Sequence, residues 1–181
     1  HDLVRIDHAI LDAPSAQVRG VVMNRTTLDI WNMLSARPGG KWAFSKLVCF
    51  KAPYFRTIRP RFADLRPDYC EVRMRKRRVV LNHIGSVHAI AMCNMAELAG
   101  GTMTEVTIPT THRWIPKGMS VEYIKVARTD LVAVATPHAA IGWSVPGEFK
   151  VDVVVRDQQG EVVFKALITM WVAPRKSQAA S

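Results

Sequence analysis

The sequence predicts an α+β fold, an antiparallel sheet curled around one buried helix, and three features of its pattern carry that expectation. Its elements run in the order helices, strand hairpin, long apolar helix, then further strands. The run Ile90-Ala91-Met92-Cys93-Asn94-Met95-Ala96-Glu97-Leu98-Ala99 is a largely apolar helix that needs covering. Alternating strands on both sides of Asp157-Gln158-Gln159-Gly160 read as a hairpin with glycine closing its turn.

Taken in order, residues 1 to 14 carry no readable pattern. From Ser15 to Leu34, Val18, Val22, Leu28, Trp31 and Leu34 recur near helical spacing, and Pro38-Gly39-Gly40 supplies the stop. A second helix, Lys41 to Lys51, turns Trp42, Leu47, Val48 and Phe50 toward other elements before Pro53 ends it. Tyr54 to Leu65 reads as a strand broken by Pro60, hence an edge or a bulge. Arg66-Pro67-Asp68 then turns into a strand from Tyr69 to Val80. There Cys70, Val72 and Met74 share a buried face, while Glu71, Arg73, Arg75 and Arg77 share the other, because strand side chains alternate. The central helix spans Ser86 to Ala99 and ends at Gly100-Gly101. Thr110 to Pro116 reads as irregular, Met119 to Ala127 as a strand, and Arg128-Thr129-Asp130 as a turn into Leu131 to Thr136. Strands at Glu148 to Arg156 and Glu161 to Val172 complete the sheet. The expected organisation is a helical extension over residues 1–53, packed on a domain spanning 54–173, with a frayed tail at 174–181.

A chain of 181 residues, 49% hydrophobic, suffices for one domain with a sizeable core. The net charge of +10 points to an anionic partner: nucleic acid, a membrane surface or a phosphorylated small molecule. Three widely spaced cysteines, Cys49, Cys70 and Cys93, argue against a disulfide framework or a structural zinc site and favour a reducing, cytoplasmic compartment. Pro137, His138 and Gly142 interrupt the longest weakly polar stretch, so no spanning helix is expected.

The chemistry concentrates at Asn82-His83-Ile84-Gly85-Ser86-Val87-His88-Ala89, a polar turn set directly before the apolar helix that carries Glu97. An ionised carboxylate among Ile, Met, Ala and Leu is costly unless exposed, paired or employed. Asn82, His88 six positions later and Glu97 nine after that resemble the hotdog-fold acyl-CoA thioesterases, in a branch whose motif reads roughly Asn-His-x-Gly-Thr-x-His-Ala. The resemblance covers Tyr54 to Val172. It implies a hotdog fold, hydrolysis of a coenzyme A thioester as substrate, no metal or redox cofactor, and a homodimer or dimer of dimers. By the same resemblance Glu97 is the catalytic carboxylate, Asn82 offers an amide near the thioester carbonyl, and the Ala89 backbone N–H donates to the oxyanion. His88 and Gly85 complete the motif, and His88 serves either in the chemistry or in orienting the loop.

Thioester hydrolysis needs oxyanion donors, an activated water and a slot for the acyl group. A helix N-terminus supplies the first. Nine helical positions separate His88 from Glu97, about 13 Å of rise with the side chains on opposite faces, so one thioester cannot meet both in one chain. Two chains are therefore needed, and the same separation argues against a single-chain metal site joining His83, His88 and Glu97. Whether Glu97 is base or nucleophile stays open. Cys93, without an evident base, reads as a core thiol.

Arg73, Arg75, Arg77, Lys117 and Lys125 are candidates for the coenzyme A phosphates, with a solvated basic strand face as the alternative. Two other functions fit less well. One is a non-catalytic acyl-CoA-binding module; the other is a nucleic-acid-binding domain, against which the missing recognition helix counts.

Overall fold

The computed structural model describes residues 26–139 and 146–175. It opens with helices α1 (Thr27–Ser35) and α2 (Gly40–Lys51) and a 3-10 turn at Pro53–Thr57. Strands β1 (Arg61–Arg66) and β2 (Tyr69–Met74) precede the long helix α3 (Ala89–Thr107). Then follow β3 (His112–Tyr123), β4 (Leu131–Pro137), β5 (Gly147–Arg156) and β6 (Val162–Pro174). Among the described residues the strands form one antiparallel sheet of six, ordered β1-β2-β4-β5-β6-β3, with α3 packed against it. This is the α+β hotdog arrangement.

The core lies between α3 and the inner face of the sheet. Cys70, Val72 and Met74 of β2 are buried as their alternation predicts, and Ala133 and Ala135 of β4, then Val151, Val153 and Val155 of β5, are buried further across the sheet. They meet Met92, Met95, Ala96, Ala99 and Met103 on α3. The helical extension is fastened to β1 by edge-to-face rings: Trp31 on Phe44 and Phe44 on Phe62, each pair with centroids 5.1 Å apart. Buried Ser45 adds a polar tie, its Oγ accepting from the Phe62 N–H at 3.0 Å and donating to the Lys41 carbonyl at 2.7 Å.

Four expectations need correcting. The central helix starts at Ala89 and runs through Gly100-Gly101 to Thr107. Those glycines are packing residues: a Cβ on Gly100 would lie 2.8 Å from Ile168 Cδ1, and one on Gly101 2.9 Å from Trp114 Cη2. The helix stops instead at Ile108, whose extended backbone (ψ 152°) suits the residue before Pro109. Second, Tyr54 to Thr57 forms a 3-10 turn with Pro53 at its start, and the strand begins only after Pro60. Third, β2 ends at Met74, where the Lys76 N–H turns to the Asp130 carboxylate, and Arg78–Val80 is a short 3-10 turn. Fourth, His112 to Pro116 belongs to β3. Among the described residues that strand pairs only with β6, and its register shifts between Pro116 and Gly118, so an edge position and a bulge accommodate the proline.

The expected first helix is present from Thr27, capped by Thr26 in a reciprocal box with Asp29. Its earlier part from Ser15, residues 1 to 14, residues 140–145 with Gly142 and Trp143, and the tail from 176 lie outside the described residues. Among the described residues no helix is long and apolar enough to cross a membrane.

Gly101→Leu should drive a side chain into the Trp114 ring and lower unfolding free energy by about 1–3 kcal/mol in urea titration. Gly118→Ala, where a Cβ meets nothing within 4 Å, should stay within about 0.5 kcal/mol of the parent.

Candidate active site

The motif loop is held by Asn82. Its Oδ1 accepts from the N–H groups of Ile84 and Ser86, both at 3.1 Å, and its Nδ2 donates to Ser86 Oγ at 2.7 Å. The backbone closes the same loop, Asn82 N–H to Ser86 O at 2.9 Å and Gly85 N–H to Asn82 O at 3.1 Å. Gly85 sits at φ 77°, a left-handed turn position that favours glycine. The Asn82 amide thus fixes the loop, keeping one Nδ2 proton uncommitted among the described residues.

The loop ends where α3 begins. His88 is its N-cap residue, with Nδ1 accepting from the Ile90 N–H at 3.1 Å. An accepting Nδ1 carries no proton, so the ring proton sits on Nε2. The N–H groups of Ala91 and Met92 turn back to the His88 carbonyl. Ala89, the first helical residue, is left with no acceptor for its N–H among the described residues. One unclaimed donor therefore stands at the positive end of a helix of 19 residues.

Glu97 is exposed, eight residues further along α3, and makes no ion pair or side-chain hydrogen bond among the described residues. It lines a cleft of ≈ 380 Å³ with Val48, Phe55, Leu98, Gly101, Thr102, Glu105 and Trp114. His88 lies in a different, smaller cleft with Thr57, Ile90 and Asn94. The structure thus separates Glu97 from the motif loop, as the helical arithmetic required.

Sequence reasoning missed two walls of the Glu97 cleft, Glu105 and Trp114, which are joined by the Trp114 Nε1–H donating to Glu105 Oε2 at 2.7 Å. Glu105 stands two turns beyond Glu97 on one stripe and was hidden by ending the helix at Ala99. Thr102, expected past the helix, lines the cleft from within α3. Thr104 is fully buried and spends its hydroxyl on the Gly100 carbonyl. Cys93 is half-buried rather than core, its Sγ 3.3 Å from Tyr123 Oη. That contact, more than burial, raises the Tyr123 phenol above its ordinary value.

The basic candidates are not brought to this cleft. Arg73 sits on the outer face of β2 and is paired with Glu71 at 2.8 Å, and Arg75 is exposed just past the end of that strand. Lys117 pairs with Glu148 at 2.8 Å and Lys125 approaches Glu161 at 3.9 Å. Arg77 donates to the Thr57 carbonyl at 3.4 Å, and partial burial, then the charge of Arg59, lowers its affinity for its proton. Among the described residues no three His, Cys, Asp or Glu side chains converge as a metal site.

A family model described as a domain of unknown function, DUF4442, matches residues 40–172. Among solved structures, the genomics target APC5556 is 47% identical, spans 82% of this chain and 98% of its own, and superposes with a TM-score of 0.72. PA5026 from Pseudomonas aeruginosa, named a probable thioesterase, is 25% identical over 71% of this chain and 92% of its own, with a TM-score of 0.64. Thioesterase HI1161 from Haemophilus influenzae, at 12% identity over 70% of this chain and 87% of its own, shares the fold with a TM-score of 0.62. No curated protein matches the chain.

Asn82→Ala removes three loop hydrogen bonds at once and should cost about 1–3 kcal/mol of stability, read from the urea midpoint at unchanged slope. His88→Ala, which loses only the cap bond, should cost about 1 kcal/mol.

Proposed function

The chain belongs to the DUF4442 family, and from that premise we propose that it is a thioesterase, hydrolysing an acyl-CoA or related acyl thioester at sites built between two copies of the chain. The observation that carries this reading is Glu97: an uncommitted carboxylate at the wall of a mainly apolar cleft, on the same helix whose first N–H is also uncommitted. The thioesterase names of the hotdog relatives support it.

In the reaction, the Ala89 N–H and the helix dipole stabilise the negative charge that develops on the thioester oxygen. Glu97 takes a proton from the attacking water, the tetrahedral intermediate collapses, and the C–S bond breaks to release a thiolate and the acid. A Glu97 anhydride formed by direct attack on the thioester is the other route open to the same carboxylate. Asn82 and Gly85 set the direction in which α3 starts, and His88 caps the same helix start through its Nδ1. The distance between Ala89 and Glu97, about 12 Å of helical rise, assigns the two groups to different sites and makes a second copy a working part. The exposed edge of β3, with Ile115, Met119 and Tyr123 uncovered, is the surface that second copy would pair with.

Glu97→Ala should lower acyl-CoA turnover by about 10²–10⁴-fold in a thiol-release assay while the fold persists; unchanged turnover refutes the reading. Ala89→Pro tests the other half. Proline suits the first position of a helix and removes only the N–H, so folding should survive and kcat should fall by about 10²-fold or more. Co-refolding Glu97→Ala with Ala89→Pro should restore about a quarter of the parent rate, since half of randomly mixed dimers are hybrids and each hybrid holds one intact site of two. A monomeric, fully active chain contradicts the two-copy site.

A further inference from the structure

Of the residues expected to hold phosphates, Arg73, Arg77, Lys117 and Lys125 have other partners, yet a different group of cations does not. Lys46 on α2, Arg56 in the 3-10 turn, Arg59 after it and Arg61 at the start of β1 line one cleft of ≈ 240 Å³ together with Trp42. All four are exposed, and none is in an ion pair or a side-chain hydrogen bond among the described residues. Among the described residues no carboxylate lines the cleft. Four uncompensated charges on one concave surface repel each other and lower the stability of the folded chain unless an anion joins them.

Further observations point to convergence on a ligand. Lys46 and Arg56 lie close enough to buried Cys49 that their charge opposes the rise burial imposes on its thiol. Arg59 sits at φ 46°, a left-handed conformation that a non-glycine side chain rarely adopts, and such strain is commonly retained at working sites. Trp42 is 58% exposed, with the Lys46 ammonium 5.5 Å from its ring centroid. A large uncovered aromatic ring with a cation over it at the lip of a cationic cleft is suited to a purine and its phosphates.

We propose that this cleft binds the phosphorylated nucleotide end of coenzyme A, Arg56, Arg59, Arg61 and Lys46 holding the phosphates and Trp42 taking the adenine. The cleft is smaller than the roughly 300 Å³ of a pocket that encloses a drug-sized ligand, so it takes phosphates inside and leaves the base at the rim. The placement fits the reaction. The 3-10 turn and the residues after it form a shared wall: Arg56 and Arg59 face the cationic cleft, while Tyr54, Thr57 and Ile58 line the cleft that holds His88 at the start of α3. A pantetheine arm crossing that wall runs from the phosphates to the Ala89 N–H. The assignment rests on the thioesterase reading for its choice of coenzyme A over other nucleotides.

Calorimetric titration with free coenzyme A, which cannot be hydrolysed, separates the two proposals. Arg56→Glu and Arg59→Glu should each weaken coenzyme A by about tenfold or more, while Lys165→Glu, an equal charge change at an exposed position on β6, leaves it unaltered. Pantetheine, lacking the nucleotide, should bind the parent and both cleft variants equally. Thermal unfolding of each variant checks that the fold persists. The proposal is overturned if the parent does not bind coenzyme A, if reversal at Arg56 and Arg59 leaves affinity unchanged, or if only a salt-sensitive oligonucleotide binds. Coenzyme A binding that is lost in the cleft variants, together with no hydrolysis of any acyl-CoA, upholds this site and removes the thioesterase reading alone.

Discussion

The closeness of α3 to the sheet is the constraint from which the rest of the structure follows. Ala96, Ala99, Gly100 and Gly101 are buried in the middle of the helix, where Ile168 of β6 and Trp114 of β3 already occupy the space a side chain would need. A helix carrying larger residues there would stand further off and leave the valines of β5 without partners. The same closeness builds the candidate site. Trp114 can lie over Gly101 because that position lacks a side chain, and from there its indole reaches Glu105 and walls the cleft that Glu97 shares. At the C-terminal end Thr107 Oγ1 accepts from the Asp68 N–H at 2.8 Å, tying the helix to the β1–β2 turn.

If the glycines fix how near the helix lies, the motif loop fixes where it begins. A helix start is a weak boundary when only the backbone decides it. Here the Val87 N–H is held by the Ala127 carbonyl and the His88 N–H by the Val80 carbonyl, both at 2.8 Å, while Asn82 braces the turn between. His88 then claims the Ile90 N–H and leaves that of Ala89. The motif residues thus select which backbone donor remains available; under the proposed reaction that donor is preorganised and needs no movement when charge develops.

Much of this was legible in the sequence, for identifiable reasons. Alternation placed Cys70, Val72 and Met74 inward because one face of β2 is fully covered, and the Asp157 to Gly160 turn was readable because Gly160 must adopt φ 82°. Gly100-Gly101 misled, since a glycine pair stops a helix on local grounds and here answers a contact with strands far away in sequence. The start of β3 was hidden by Pro116, tolerated only because the strand is an edge. Arg73 and Arg75 drew attention as a run, yet the strand ends at Met74, leaving Arg73 paired with Glu71 and Arg75 past the strand. The cationic cleft draws Lys46, Arg56, Arg59 and Arg61 from three elements, and no linear pattern collects them.

The β3 edge and the two ends of α3 bear on one another. The strand is twelve residues long and, among the described residues, bonded to β6 alone, and an exposed apolar edge of that length pairs with another chain unless something blocks it. Its two ends touch different parts of α3: Trp114 packs at Gly101 beside the Glu97 cleft, and Tyr123 reaches Cys93, one turn from Ala89. Under the two-copy reading, pairing β3 antiparallel with β3 of a second copy sets the Trp114 end of one strand beside the Tyr123 end of the other. Glu97 of each copy is then carried toward the start of α3 in its neighbour, the direction in which the unclaimed Ala89 N–H lies. A parallel pairing would put like ends together and leave both half-sites incomplete, and a closed two-fold dimer permits only the antiparallel one.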